Sequence, residues 1–296
     1  MRILSIQSSV AYGHVGNSAA VFPLQRLGHE VWPVNTVHFS NHTGYGAWRG
    51  PLLAASDVAD VITGIGEREV PGRGDNGAET VSVLGTADAV LTGYQGAEDV
   101  GQVVLDTVAM VKELNPAAVY CCDPVMGDVG RGMFVRPGIP EFMRDAVVPA
   151  ADLITPNHFE LDFLAGVETR TMDEVLAAVD AVRERGPRTV LVTSLLHDAV
   201  PEGHLDVLAV TDEGAWAVTT PQLPISPNGA GDLTSALWLA HLLTAPSAAE
   251  ALAATTSAVY GVLRATLESG FRELQLVPSQ EEIVHPSERF EARRVR

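Results

Sequence analysis

Short apolar runs recur along the chain, each closed by a polar or glycine-rich cluster and followed by a longer segment with apolar residues at helical spacing. A short run rich in β-branched residues predicts a strand, and a repeat near 3.6 predicts an amphipathic helix. On this basis strands are expected at Arg2–Gln7, Glu30–Val37, Ala87–Thr92, Ala117–Asp123, Asp152–Thr155 and Thr189–Thr193. Helices are expected at Gly16–Leu27, Ala97–Leu114, His158–Ala165, Met172–Arg185, Gly231–Leu243 and Ala248–Glu268. Val207–Thr211 and Ala215–Thr219 read as a hairpin about Asp212-Glu213-Gly214. Such alternation predicts a three-layer α/β/α fold, with a central, mostly parallel sheet and helices on both faces. Residues 1–296 read as one domain, with a surface insert at Gly66–Glu79 and a flexible tail at 286–296.

In sheets of this kind ligands bind beyond the carboxyl ends of the strands. The polar clusters fall there: Ser8-Ser9, Asn35–Gly44, Thr92-Gly93-Tyr94, Asp123–Asp128, Thr155–Glu160 and Thr193-Ser194. Convergence from six segments marks a site more firmly than any one of them.

Composition narrows the partners. The chain has 296 residues, enough for a substantial core, and its formal net charge is −18. That balance argues against nucleic acid and against an anionic membrane surface. It is awkward for ATP too, so phosphate affinity would have to come from a helix N-terminus, backbone amides and Mg2+. No apolar run reaches the roughly 18 residues of a membrane span. The N-terminus turns polar too soon for a signal peptide, so a cytoplasmic setting is expected. Cys121 and Cys122 are adjacent, cannot form an ordinary disulfide together, and should point to opposite faces of a strand in a structural role.

Asn228-Gly229-Ala230-Gly231-Asp232 opens an apolar helix. Small residues allow close approach to a phosphate, and the first helical N–H groups are unpaired at the positive end of the dipole. Together they could hold a transferring phosphate, with Asp232 placed to accept a proton from an attacking hydroxyl. A glycine turn with Asp232 as a simple cap fits the same five residues.

Gly229-Ala230-Gly231-Asp232, in the C-terminal third of an α/β chain, resembles the signature of the ribokinase-like superfamily. No Walker P-loop occurs. Two longer segments, Gln7–Ala20 and Asn35–Tyr45, are similar to the pyridoxal kinases, and the resemblance runs from Ile3 to about Val277. It implies a ribokinase-like fold, a homodimer, and ATP-dependent phosphorylation of the 5′-hydroxymethyl group of pyridoxal, with pyridoxine and pyridoxamine, in vitamin B6 salvage. Two other readings are a hydroxymethylpyrimidine kinase and a non-catalytic pyridoxal phosphate binder. The resemblance puts Ser8, Thr43 and Tyr94 at the pyridoxal ring and Asp232 beside the hydroxymethyl group; of His14, His38 and His42, which are not at zinc spacing and read as loop and pocket-wall residues, His42 is expected nearest the ring. The residue types suit this: Ser8 and Thr43 can donate and accept, and Tyr94 and Trp48 could wall a flat ring. Trp48 and Tyr45 fit plain packing equally well.

The other half of the site is expected from four segments. Asp123-Pro124-Val125-Met126-Gly127-Asp128 holds two carboxylates that could reach one cation region. By resemblance, Asp123 lies near the phosphates and a monovalent cation, while Asp128 helps hold Mg2+. Gly130–Phe134, with Arg131, would form a flap. Thr155-Pro156-Asn157-His158-Phe159-Glu160 resembles the family's Thr-Pro-Asn-x-x-Glu segment, which implies Asn157 on a phosphate oxygen or a metal-bound water and Glu160 on Mg2+ through water. Locally, Asn157 and Glu160 also spell a capping box. Thr193 and Ser194 would face the nucleotide phosphates along with Asn228, Gly229 and Gly231. Thr155 and Thr193 would join Asp123 at the monovalent cation, for which K+ is the candidate.

Overall fold

A computed structural model describes residues 1–72 and 80–296. Strand β1 (Arg2–Tyr12) leads through helix α1 (Asn17–Arg26) to β2 (Glu30–Asn41). Helix α2 (Ala55–Gly66) and a small hairpin, β3 (Glu69–Pro71) with β4 (Thr80–Ser82), precede β5 (Ala89–Thr92), α3 (Glu98–Leu114) and β6 (Val119–Cys122). A second small hairpin pairs β7 (Gly127–Asp128) with β8 (Gly132–Met133). Then come α4 (Ile139–Phe142), α5 (Val148–Ala150), β9 (Leu153–Ile154), α6 (His158–Ala165), α7 (Met172–Arg183) and β10 (Thr189–Leu195). The chain ends through β11 (His204–Thr211), β12 (Gly214–Pro221), α8 (Ala230–Leu242), α9 (Ala248–Ser269), α10 (Gln280–Val284) and β13 (Arg293–Arg294).

Nine strands form the main sheet in the order β13-β12-β11-β10-β9-β6-β5-β1-β2. Pairing is parallel from β2 through to β10 and antiparallel from β10 to β13. Side chains alternate between two cores. Leu4, Ile6, Val90 and Cys122 face a layer containing Val58, Val104, Leu161 and Val179. Ile3, Leu91 and Cys121 face Leu24, Trp238, Leu239 and Leu252. The expected three-layer α/β/α fold with a mostly parallel sheet is therefore present. The two cysteines lie one on each face, as strand alternation requires, and burial pushes the Cys122 thiol up to about 12. No helix among the described residues is long and apolar enough to cross a membrane.

Three departures matter. First, β1 and β2 run beyond their apolar stretches, because Ser9, Val10 and Tyr12 keep a parallel ladder with His38, Phe39 and Asn41 after a register shift past Gln7. Ser8 and Ser9 thus stand on a strand rather than after it. Second, residues 286–296 were expected to be a flexible tail, and that expectation is corrected. Arg293 and Arg294 pair with Ala217 and Trp216, Phe290 meets Tyr260 edge-on at 5.0 Å, and Arg296 forks onto Asp180 at 2.6 and 2.8 Å. Backbone pairing at an open sheet edge needs no hydrophobic run, so the apolar pattern carries no trace of it. Third, α2 has no counterpart among the expected helices. Only Val58 and Ile62 of its residues are buried, which leaves its apolar stripe short. Of the expected insert, 73–79 lies outside the described residues, and the flanks on either side pair as the β3–β4 hairpin.

Candidate active site

The site forms where β1, β5, β6, β9 and β10 end and α8 begins. Helix α8 starts at Gly229, whose φ of 91° is left-handed and whose missing side chain is required. A Cβ there would fall 1.8 Å from the carbonyl oxygen of His14. From Leu233 to Ala240 every residue of α8 is buried, so the helix is clamped between the sheet and its neighbours and its N-terminus is fixed. Asp232 sits in that first turn, partly buried. Burial raises its pKa, while the N–H of Gly16 and its own N–H hydrogen-bond the carboxylate and pull the other way.

Gly16 is the link to the N-terminal half. Its φ is 52°, and a Cβ on it would lie 2.2 Å from the Ser8 carbonyl oxygen and 2.4 Å from Ser8 Oγ. One glycine therefore touches Ser8 and donates to Asp232. Gly93, which follows β5, lies against the same group: a Cβ there would be 3.3 Å from Asp232 Oδ1 and 2.6 Å from Gln7 Oε1. Tyr94 is partly buried beside it, and burial raises its hydroxyl pKa against the pull of nearby Arg136.

Thr43 is exposed in a single turn of 3-10 helix, Thr43–Tyr45. His42 is buried, its Nε2 donating to Glu273 Oε1 at 2.9 Å. Tyr45 is also tied to Glu273, by a 2.6 Å bond from its hydroxyl. Trp48 packs on Phe39 at 6.0 Å and is 45% exposed.

The second half of the site is built around carboxylates. Asp123 is buried, accepts from Thr155 Oγ1 at 3.3 Å, and lies 3.5 Å from where a Gly231 Cβ would stand. Burial, then the charges of Glu160 and Asp232, push its pKa well above the ordinary carboxylate range. Glu160 and Asn157 form the capping box in full: Asn157 Oδ1 accepts from the Glu160 N–H, and Glu160 Oε2 from the Asn157 N–H, both at 2.9 Å. Glu160 Oε1 takes the N–H groups of Met126 at 2.8 Å and Gly127 at 3.3 Å, bracing the turn that presents Asp128. Burial pushes Glu160 up to about 7 against those bonds, with Asp128 adding to the rise. The Asn157 amide closes the same turn by donating to the Gly127 carbonyl at 2.8 Å.

β10 joins this group through the Thr193 N–H, which donates to the Pro156 carbonyl at 2.9 Å. Ser194, with φ 52°, is the one non-glycine residue at positive φ among the described residues, a strained conformation at the expected nucleotide face. From the β7–β8 hairpin Arg131 reaches over to the Ser226 carbonyl at 3.3 Å, just before Asn228.

These segments thus gather at the carboxyl ends of the parallel strands. Sequence reasoning passed over Gly16, Ser235 and Glu273. Ser235 had a signal, standing three residues after Asp232 on one helical face. Gly16 and Glu273 had none, since their partners lie far along the chain. The carboxylates suit a cation, because a positive charge would offset their burial and mutual repulsion. Among the described residues no group of three or more His, Cys, Asp or Glu is arranged to hold a bare ion. Mg2+ held largely by nucleotide phosphates and water needs only one or two carboxylates.

Comparison with known proteins sorts between the possible acceptors. A family model described as phosphomethylpyrimidine kinase matches residues 79–276, which omits β1, β2 and the His42–Tyr45 turn. Two relatives that match end to end are pyridoxal kinases. That of Rubrobacter xylanophilus is 61% identical over 296 residues, covering 100% of this chain and 98% of its own. That of Leifsonia xyli subsp. xyli is 58% identical, covering 100% of both. The solved pyridoxal kinase of Leishmania donovani, in complex with ADP and pyridoxamine, superposes with a TM-score of 0.87 at 29% identity, covering 100% of this chain and 99% of that one. With the N-terminal strands and the glycine turn before Asp232 inside those matches, the chain belongs to the pyridoxal kinase family, on a ribokinase-like fold.

Proposed function

We propose that this protein transfers the γ-phosphoryl group of ATP to the 5′-hydroxymethyl group of pyridoxal, and of pyridoxine and pyridoxamine, in vitamin B6 salvage. The observation that carries this reading is Asp232, held in the first turn of a buried helix behind a glycine turn and hydrogen-bonded by Gly16. The hydroxymethyl oxygen bonds to the γ-phosphorus, the bond to the ADP oxygen breaks, and Asp232 takes the hydroxyl proton. Burial raises its pKa, which makes the carboxylate a stronger proton acceptor. The N–H groups of Gly229, Ala230 and Gly231 face the transferring phosphoryl group at the positive end of α8. Solved relatives bound to ADP with pyridoxamine or pyridoxine support the same pair of substrates.

Ser8, Thr43, Tyr94 and His42 would orient the pyridine ring. Asn228, Asn157, Thr193, Ser194 and Asp123 would line the nucleotide phosphates. Asp128, with Glu160 bracing its turn, would hold the Mg2+ that accompanies ATP and neutralises phosphate charge. Asp123, Thr155 and Thr193 would face a monovalent cation, with K+ as the candidate. The reading includes one catalytic domain per chain, a homodimer and a cytoplasmic setting. The matching family model favours one second acceptor, hydroxymethylpyrimidine.

Phosphate transfer from Mg-ATP to each B6 vitamer and to hydroxymethylpyrimidine tests the proposal. Transfer to pyridoxal with Asp232→Asn reduced by about a hundredfold to ten-thousandfold in kcat is expected. Near-wild-type turnover by that variant would overturn the base assignment, and preference for the pyrimidine would overturn the substrate.

A further inference from the structure

Glu273 lies in the loop between α9 and α10, 231 residues along the chain from His42, and is 6% exposed. Its carboxylate makes no ion pair with Arg or Lys among the described residues. Instead it gathers the loops at the ends of β1 and β2. Oε1 accepts from His42 Nε2 at 2.9 Å and from the Tyr45 hydroxyl at 2.6 Å, while Oε2 accepts from the His14 N–H at 3.2 Å. The chain makes room for it, since a Cβ on Gly13 would lie 2.2 Å from Oε2. Next to it Arg272 stacks on the Tyr45 ring, 4.1 Å from the centroid, and donates to the Gly44 carbonyl.

A carboxylate can only accept, so His42 must carry its proton on Nε2 at this contact. In the neutral ring that leaves Nδ1 as an acceptor. Nδ1 is buried and has no hydrogen-bond partner. It lies beside Gly44, where a Cβ would stand 2.9 Å from Nδ1 and 2.7 Å from Asn228 Nδ2. A buried acceptor left open costs free energy unless a ligand donor completes it, so its tautomer and aim bear on ligand binding.

We propose that Glu273 is a positioning residue for the acceptor alcohol: it fixes the tautomer and aim of His42 and binds the His14 and Tyr45 loops into one wall of the substrate side. The proposal rests on the reading of this site as a pyridoxal site. It assigns no direct contact between Glu273 and substrate. Its effect should appear in the alcohol's affinity and not in that of ATP, whose expected residues follow β6 and β9, lie on β10 and precede α8.

The test uses the full-length chain. Glu273→Gln preserves shape but offers one acceptor oxygen in place of two. It should raise KM for pyridoxal about tenfold, with KM for ATP within about twofold of wild type. Glu273→Asp should recover part of that loss. Adding Glu273→Gln to His42→Leu should cost little beyond His42→Leu alone, because one acts through the other. An unchanged KM for pyridoxal, an equal rise in both KM values, or full additivity would overturn the proposal. Pyridoxal binding followed by its own absorbance, without ATP, separates this from the functional reading. A wild type that binds pyridoxal but transfers no phosphate sinks the kinase reading and leaves this test in force through Kd. A wild type that binds no pyridoxal sinks both.

Discussion

Thr155 Oγ1 and Ser235 Oγ lie 2.7 Å apart, joining the end of β9 to the second turn of the helix that carries Asp232. Both are buried, Thr155 also reaches Asp123, and Ser235 Oγ also lies 2.9 Å from the Gly231 carbonyl oxygen. The pair ties the Asp123 side of the site to the helix that carries Asp232. Thr155→Val keeps the volume and strands the partners of its hydroxyl. A loss of about 1–3 kcal/mol in urea unfolding is expected. Ser235→Ala should cost a similar amount, and the double variant less than the sum, because the two share one network.

Gly16→Ala should damage catalysis more than folding. Its Cβ would enter Ser8, and relief requires moving the Gly16 N–H that holds Asp232. A displacement near 1 Å at a reacting group can cost about a hundredfold in rate. Steady-state kinetics should show a fall of that order in kcat/KM for pyridoxal, with circular dichroism unchanged.

Stability in mild acid should depend on His241. Its Nδ1 meets Thr255 Oγ1 at 3.0 Å, and burial, aided by His29, lowers its pKa from 6.5 to about 4. Between these values the unfolded chain binds the proton and the folded chain does not, so stability falls as pH drops from 6.5 towards 4 and is unaffected above that range. The loss from this group is about 3 kcal/mol at most, less what its residual exposure screens. His241→Gln should flatten the pH dependence of the unfolding midpoint over that window; an unchanged slope would count against the assignment.

Removal of residues 290–296 should destabilise the fold. Arg293 Nη2 lies 2.6 Å from Asp206 Oδ2, and Asp206 is 1% exposed, with His197 Nε2 at 3.1 Å as its other nitrogen partner. Arg293 is half exposed and Asp206 keeps His197 and Thr219, so the loss is that of one hydrogen bond to a charged group, about 1.5–3 kcal/mol. Arg293→Met should reproduce much of the effect, measured as a lower unfolding midpoint.

The strands and most helices were legible because each carries a face of buried apolar residues with its own period. His158–Ala165 matches to the residue, since a capping box opens it and Gly166 closes it. Local chemistry was legible too: Asn157 and Glu160 are both a cap and members of the candidate site. The missing parts share a cause. Gly16, Glu273 and Arg293 act through partners 87 or more residues away, or through a backbone conformation, and no local period encodes that. The edge strand β13 depends on β12 being already in place.

Gly229 lies against the His14 carbonyl from more than 200 residues along the chain, so the glycine turn before α8 and the loop after β1 were shaped against each other. The two halves are therefore poor modules for exchange. A chimera taking its first 45 residues from a kinase with another acceptor would bring a foreign backbone against residue 229 and leave Glu273 facing strangers. Retargeting this scaffold would call for residues 1–45, 228–232 and 272–273 to be transplanted as one unit.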